Sequence, residues 1–248
     1  MSDNRRLKRL FSGPNDKCLL VPMDHGPWLG PIKGIKEPRD ITEKVISGGA
    51  TGLLVTPGFA ETIKPVLTPD VGLALRTSIT LGASKEAQQE TPVASIETAL
   101  RLDADAVAVS IFFGRGAEKG VMEYLGELTE KAHRYDLPVL AEMMPTGEEQ
   151  YAAEAIEHVA RIGMEFGGDI VKTNYCGDPA AFSDITKSVQ RPVIVAGGPK
   201  SESDSSLENL VSGAVEGGAA GVAIGRRVWQ SDDPETTVRQ ISNLLSSQ

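Results

Sequence analysis

The sequence predicts an α/β fold, a closed (β/α)8 TIM barrel built as a single domain over residues 1–248. Three observations predict it. Short apolar segments alternate with longer amphipathic ones along the whole chain, and strands that are apolar on both faces belong to a parallel sheet covered by helices. Eight such apolar segments can be counted, which favours a closed barrel over an open doubly wound sheet. A short join also recurs between a helix and the next strand: Gly49-Ala50-Thr51-Gly52, Asp103-Ala104-Asp105-Ala106, Gly167-Gly168-Asp169 and Gly218-Ala219-Ala220-Gly221. Small residues there let helix ends pack close to the sheet.

The elements follow in order. Asn4 to Leu10 is a short lead-in helix, and Lys17 to Met23 is the first strand, closed by Asp24-His25-Gly26. A Pro/Gly loop from Pro27 to Pro38 leads to a helix near Ile41 to Ser47 and the strand Thr51 to Thr56. The third strand, Leu73 to Thr77, is the weakest of the eight. A helix near Pro92 to Leu102 precedes the strand Ala106 to Ile111, and the helix Met122 to Tyr135 precedes the strand Pro138 to Met143. Ala152 to Phe166, expected to be the longest helix, delivers a strand ending in Lys172. Then come the helix Ala180 to Val189, the strand Pro192 to Ala196, the helix Leu207 to Glu216, the strand Gly221 to Ile224 and the last helix, Pro234 to Leu245. Pro57 to Gln89 is the least regular stretch and is expected to hold a loop or lid.

Composition narrows the function. A chain of 248 residues with 40% hydrophobic and 24% charged residues can bury a sizeable core and is ordinary for a soluble protein. The net charge of −9 argues against nucleic acid as a partner, which needs basic surface. It does not exclude a phosphorylated small substrate, because a few local groups can hold one phosphate. The basic start, Met1 to Phe11, has no apolar run after it and so does not read as a signal peptide, and no stretch is apolar enough for a membrane span. Two cysteines, Cys18 and Cys176, give neither a disulfide framework nor a metal spacing. A reduced, cytoplasmic protein is expected, with no metal and no cofactor.

In such a barrel the chemistry lies at the carboxyl ends of the strands, and five strand ends carry the polar residues of interest. The sixth strand, Ile170-Val171, runs into Lys172-Thr173-Asn174. Burying an ammonium is costly unless it is paired or gives up its proton, and a neutral amine in a dry pocket is what Schiff-base chemistry with a ketone or aldehyde requires. The plainer reading is that Lys172 reaches past the strand end into water. Strand one ends in Asp24 and His25; the plainer readings are that Asp24 caps a helix and that His25 orients a loop rather than transferring protons. Strand five carries Glu142. Strand seven ends in Gly197-Gly198-Pro199-Lys200 and strand eight in Gly225-Arg226-Arg227. Those two glycine turns fit a phosphate, since backbone N–H groups approach closely where there is no Cβ, and Arg226 adds either charge-assisted hydrogen bonds or only its backbone N–H. Each also reads as an ordinary surface turn; their shared position is what favours a site. Lys200, if turned inward, adds a positive charge that lowers the pKa of Lys172.

Four blocks of the chain resemble the archaeal-type class I aldolases, a group that includes the 2-amino-3,7-dideoxy-D-threo-hept-6-ulosonate synthases and the archaeal fructose-bisphosphate aldolases. They are Val21-Pro22-Met23-Asp24-His25-Gly26 with Gly30-Pro31-Ile32-Lys33-Gly34; Ile170 to Asp178; Val195-Ala196-Gly197-Gly198-Pro199-Lys200; and Gly225-Arg226-Arg227-Val228-Trp229-Gln230. The opening block favours the heptulosonate synthase branch. The resemblance implies a Schiff base at Lys172 with a phosphorylated ketone, a proton-handling Asp24, a phosphate held by the last two strand-end turns, an aldehyde acceptor such as aspartate semialdehyde, no metal, and a homo-oligomer, often a decamer.

One position departs from that pattern. The family carries an acid/base tyrosine before the proline of a Tyr-Pro-Arg-Gly motif, and here the stretch is Met144-Pro145-Thr146-Gly147. Strand periodicity places Glu142, where the family tends to be apolar, on the same face as Met144. Glu142 is therefore the expected replacement acid/base, provided burial raises its pKa; the alternative is that it pairs with Lys172 or Lys200 and only sets charge. Met143 and Met144 are expected to fill the barrel. Other readings are a fructose-bisphosphate aldolase-like or thiolase-like relative, or a barrel that binds a sugar phosphate without turning it over.

Overall fold

The computed structural model describes residues 4–81, 90–116, 118–198 and 205–247. The strands are β1 (Cys18–Pro22), β2 (Gly52–Val55), β3 (Gly72–Arg76), β4 (Ser78–Thr80), β5 (Glu90–Pro92), β6 (Ala106–Phe113), β7 (Val139–Pro145), β8 (Ile170–Thr173), β9 (Val193–Ala196) and β10 (Gly221–Ala223). Eight of them, in the order β1-β2-β3-β6-β7-β8-β9-β10, close into a parallel barrel, and β4 and β5 form a separate antiparallel hairpin. The third strand, the weakest in sequence, pairs with both β2 and β6.

The helices are α1 (Arg5–Leu10), α2 (Gly26–Leu29), α3 (Pro38–Ser47), α4 (Pro57–Ile63), α5 (Ile96–Arg101), α6 (Glu118–His133), α7 (Ala153–Glu165), α8 (Pro179–Val189), α9 (Ser205–Glu216), α10 (Arg226–Trp229) and α11 (Pro234–Ser246). At 16 residues α6 exceeds the 13 of α7, so the expected longest helix is not the longest. The expected helix from Pro92 is also shorter: Pro92 ends β5, and α5 begins only after Ser95, whose side chain caps it. The irregular stretch 57–89 holds α4, β3 and β4, and its residues 82–89 lie outside those described.

The recurrent small-residue joins have a backbone cause. Gly49, Asp103, Gly167 and Gly218 all have φ between 55° and 101°, the left-handed region that ends a helix and turns the chain back. The joins are thus stop signals as well as close-packing points.

Two buried layers follow from the alternation of side chains along each strand. Leu19, Val21, Leu53, Leu75, Val107, Val109, Ala141, Val171, Val193 and Val222 face the helices. Leu20, Leu54, Ala74, Ala106, Ala108, Leu140, Ile170, Ile194 and Ala223 fill the barrel together with Leu7, Leu10 and Phe11 from the lead-in segment, which covers its amino end. Asn4 starts that segment by accepting hydrogen bonds from the backbone N–H groups of Arg6 and Leu7. Met143 belongs to the outer layer, against α7, so it is not the barrel filling expected of it; Met144, one residue on, turns inward to line the mouth.

Candidate active site

The same alternation gathers charge at one end. Two residues beyond Ala74, Ala108, Leu140 and Ile170 the inward face carries Arg76, Ser110, Glu142 and Lys172, and Asp24 follows β1 at the same mouth. An apolar plug lies beneath and a polar layer above. They share a cavity of about 290 Å³ with His25, Gly197, Gly198, Gly225 and Arg226. The sequence-derived candidates therefore come together, except Lys200, which lies outside the described residues.

Lys172 is 5% exposed, so its side chain does not run out into water. Its Nζ lies 2.5 Å from Glu142 Oε1, on a residue that faces it directly in the β7–β8 register. Glu142 Oε2 accepts hydrogen bonds from Ser110 Oγ at 2.5 Å and from Arg76 Nη2 at 2.7 Å. Arg76 Nε donates to Asp24 Oδ2 at 2.6 Å, and a further guanidinium nitrogen donates to Ser110 Oγ. Two cations and two carboxylates thus form one continuous buried chain with no net formal charge. Such a network is tolerable in a dry interior because each charge has a partner and hydrogen bonds besides.

The carboxyls respond accordingly. Burial alone would raise Glu142, but the charges of Lys172 and Arg76 outweigh it and push the group down to about 2. The raised value expected of Glu142 is therefore overturned: two cations at contact distance outweigh desolvation. Burial likewise opposes ionisation of Asp24, yet Arg76, His25 and Lys172 hold its carboxyl well below the usual range. Burial works against the charge of Arg76 as well, and Asp24, Glu142 and Glu90 together keep it firmly ionised.

His25 Nδ1 is 3.2 Å from Asp24 Oδ1 without being aligned as a hydrogen bond, and its ring stands edge-on to Trp229 with centroids 5.3 Å apart. Trp229 in turn donates Nε1–H to the Pro22 carbonyl at 2.9 Å, tying α10 to the end of β1. The wall between Lys172 and Asp24, formed after β9 and β10, is made of backbone. Gly198 has φ 66°, and among the described residues no atom lies within 4 Å of where a Cβ would stand. A Cβ on Gly225 would meet the Pro22 carbonyl at 2.5 Å. Arg226 opens α10 with its guanidinium carbon 5.9 Å from the centre of the Trp28 ring, and among the described residues it has no carboxylate partner.

Sequence reasoning missed Arg76, Ser110 and Glu90. The signal for Arg76 was the one that singled out Lys172, a cation closing an apolar strand, but it sat on the least certain of the strands. Ser110 is indistinguishable in sequence from any strand serine. Glu90 comes to the mouth on the β4–β5 hairpin, in a stretch with no clear periodicity.

A closed parallel barrel with a buried lysine and two carboxylates at its carboxyl mouth defines a class: barrel enzymes built for Schiff-base chemistry. The chain belongs to the DeoC/LacD family of aldolases, whose family model matches residues 18–231. It is 30% identical over 243 residues to a 2-amino-4,5-dihydroxy-6-oxo-7-(phosphonooxy)heptanoate synthase of Streptomyces griseus, covering 97% of this chain and 89% of that one. It is 33% identical over 234 residues to a 2-amino-3,7-dideoxy-D-threo-hept-6-ulosonate synthase of Archaeoglobus fulgidus, covering 94% and 87%. Among solved structures it is similar to an archaeal fructose-1,6-bisphosphate aldolase described with its catalytic lysine covalently bound to the carbinolamine intermediate; the TM-score is 0.86 at 28% identity, covering 98% of this chain and 100% of that one. The protein is thus a Schiff-base aldolase-class enzyme. Among the described residues no helix is long and apolar enough to cross a membrane.

Proposed function

We propose that this enzyme makes or breaks a carbon–carbon bond between a phosphorylated ketone, held as a Schiff base on Lys172, and an aldehyde acceptor, with an amino-aldehyde such as aspartate semialdehyde as the acceptor its synthase relatives suggest. One observation carries the reading: Lys172 is buried at the end of β8, in contact with a carboxylate and open to the same cavity as two glycine turns. Glu142, already ionised, takes the ammonium proton across the 2.5 Å contact and frees the amine to attack the carbonyl. The carbinolamine must then lose water, and Asp24 and Glu142, linked through Arg76, flank Lys172 to move the protons involved. The Gly197 N–H is donated to the Ala223 carbonyl at 3.0 Å, so the N–H groups of Gly198 and Gly225, with Arg226, are assigned to the donor phosphate, with Gly197 and His25 beside them and Lys200 as a further cation.

Further proposals accompany this one: a single catalytic domain over the whole chain, a homo-oligomer, a decamer being the family expectation, a cytoplasmic setting in keeping with Cys18 and Cys176 as free thiols, and no nucleic-acid partner. The central test is borohydride trapping. With dihydroxyacetone phosphate, intact mass should show one donor added per chain, and Lys172→Ala should show none. Glu142→Gln should slow formation of the adduct itself, since it removes the base in contact with the amine. Phosphate binding without any adduct would turn the protein into a binding barrel.

A further inference from the structure

The Schiff base leaves a second demand. A proton must leave the donor carbon beside the iminium, and a proton must reach the acceptor oxygen. Met144 has no titratable proton. Glu142, once it has given the lysine's proton to the departing water, again faces a cation at position 172, and with its oxygens also engaged by Ser110 and Arg76 it stays ionised through the carbon–carbon step. Asp24 is bound to Arg76 in the same way. One carboxyl in the cavity is differently placed. Glu90 faces Thr80 across the hairpin, and its Oε1 accepts the Thr80 hydroxyl at 2.6 Å. Its Oε2 is buried and has no hydrogen-bond partner among the described residues.

Position agrees with this. β4 follows β3 after a single residue, so the hairpin continues the barrel wall above Arg76, as Phe112 and Met144 do above Ser110 and Glu142. Carrying the β3–β6–β7 register upward sets Thr80, and Glu90 paired with it, level with Phe112 and Met144. The groups around it are mixed in sign: Arg76 from β3, Glu142 from β7 and Arg115 from the turn after β6, while Tyr124 of α6 donates its hydroxyl to the Thr77 and Ala94 carbonyls that flank the hairpin. Burial is the largest influence and raises the carboxyl above its ordinary value; Arg76 and the Ser78 and Thr80 hydroxyls only partly offset it, and Glu142 adds to it. A carboxyl displaced in that direction holds its proton more readily than an ordinary one, as a group that both takes and gives a proton requires.

We propose that Glu90 is the catalytic acid–base of the carbon–carbon step, standing in for a hydroxyl at position 144. The inference rests on the Schiff-base reading above. Ionised Glu90 removes the proton from the donor carbon, and the C–H electron pair forms the enamine double bond as the iminium π pair returns to nitrogen. The enamine carbon attacks the acceptor carbonyl carbon, the C=O π pair moves to oxygen, and Glu90 returns its proton to that oxygen. The iminium and the carboxylate are both regenerated. Water then releases the product from Lys172.

The test separates the two claims. In D2O with dihydroxyacetone phosphate alone, the unsubstituted enzyme should exchange the donor's C–H, read by NMR. Glu90→Gln should form the borohydride-trapped Lys172 adduct fully yet exchange about 10²–10⁴-fold more slowly. Glu90→Ala should be equally slow and should recover on adding formate, which a merely structural role for Glu90 would not produce. An adduct with undiminished exchange in Glu90→Gln, or no formate recovery in a folded Glu90→Ala, overturns the role of Glu90 alone. No adduct in the unsubstituted enzyme overturns the Schiff-base reading and this inference with it.

Discussion

The two walls of the mouth are built on opposite principles. At the ends of β1, β3, β7 and β8 the working groups are charged side chains buried almost completely, each held by another: Lys172 by Glu142, Glu142 by Arg76, Arg76 by Asp24. On the β9–β10 side they are backbone groups bared by glycine, with Arg226 as the nearby cation. Charge buried in a network is expensive to disturb, because removing one member strands the others. Backbone exposed by a missing Cβ is cheap to keep, and it fails locally when a side chain is added. The first wall should therefore couple chemistry to stability, and the second should affect binding first, with a smaller loss of stability.

The largest expected effect is at Lys172. Lys172→Ala should eliminate turnover and the trapped adduct, while binding of inorganic phosphate at the other wall, measured by calorimetry, stays close to that of the parent. Loss of both together would show that the two walls are not separable.

Arg76 comes next. Arg76→Met leaves Asp24 and Glu142 buried without their shared cation and should cost about 3–5 kcal/mol in urea unfolding. It should also change the acid limb. Glu142 sits at about 2 in the folded chain against an ordinary 4.5, and Asp24 is lowered too. As pH falls through that window the unfolded chain takes up protons that the folded chain refuses, so stability is present above it and lost across it. Without Arg76 both carboxyls move up and this loss becomes shallower. An unchanged acid limb in Arg76→Met would show that Arg76 does not set these two groups.

The smallest effects belong to the glycine wall, and they should be graded. In Gly225→Ala the new methyl meets the Pro22 carbonyl at 2.5 Å, so the backbone must shift, at about 1–3 kcal/mol and with clear loss of phosphate affinity. Gly198→Ala has open space but keeps φ 66°, which should cost about 1 kcal/mol. Gly198→Val adds β-branching at that backbone angle and is a poorer test of binding alone. Thermal melts and phosphate titration of the two alanine variants give the order, and equal losses at both positions would contradict it.

The sequence by itself determined the barrel, because alternation, strand count and the helix-stop joins are all local patterns. It also determined which strand ends carry Lys172, Asp24 and the glycine turns, since each is written in a few consecutive residues. Only the tertiary structure decided what those groups do to one another. Arg76 meets Asp24 and Glu142 across 52 and 66 residues of chain, and no local pattern encodes a contact that exists only once the barrel closes. The sign of the Glu142 shift was lost for the same reason: burial was foreseeable from the strand, but the two cations that outweigh it come from β3 and β8. Glu90 lay further still from view, because a three-residue hairpin strand has too little periodicity to show which way its carboxyl will point.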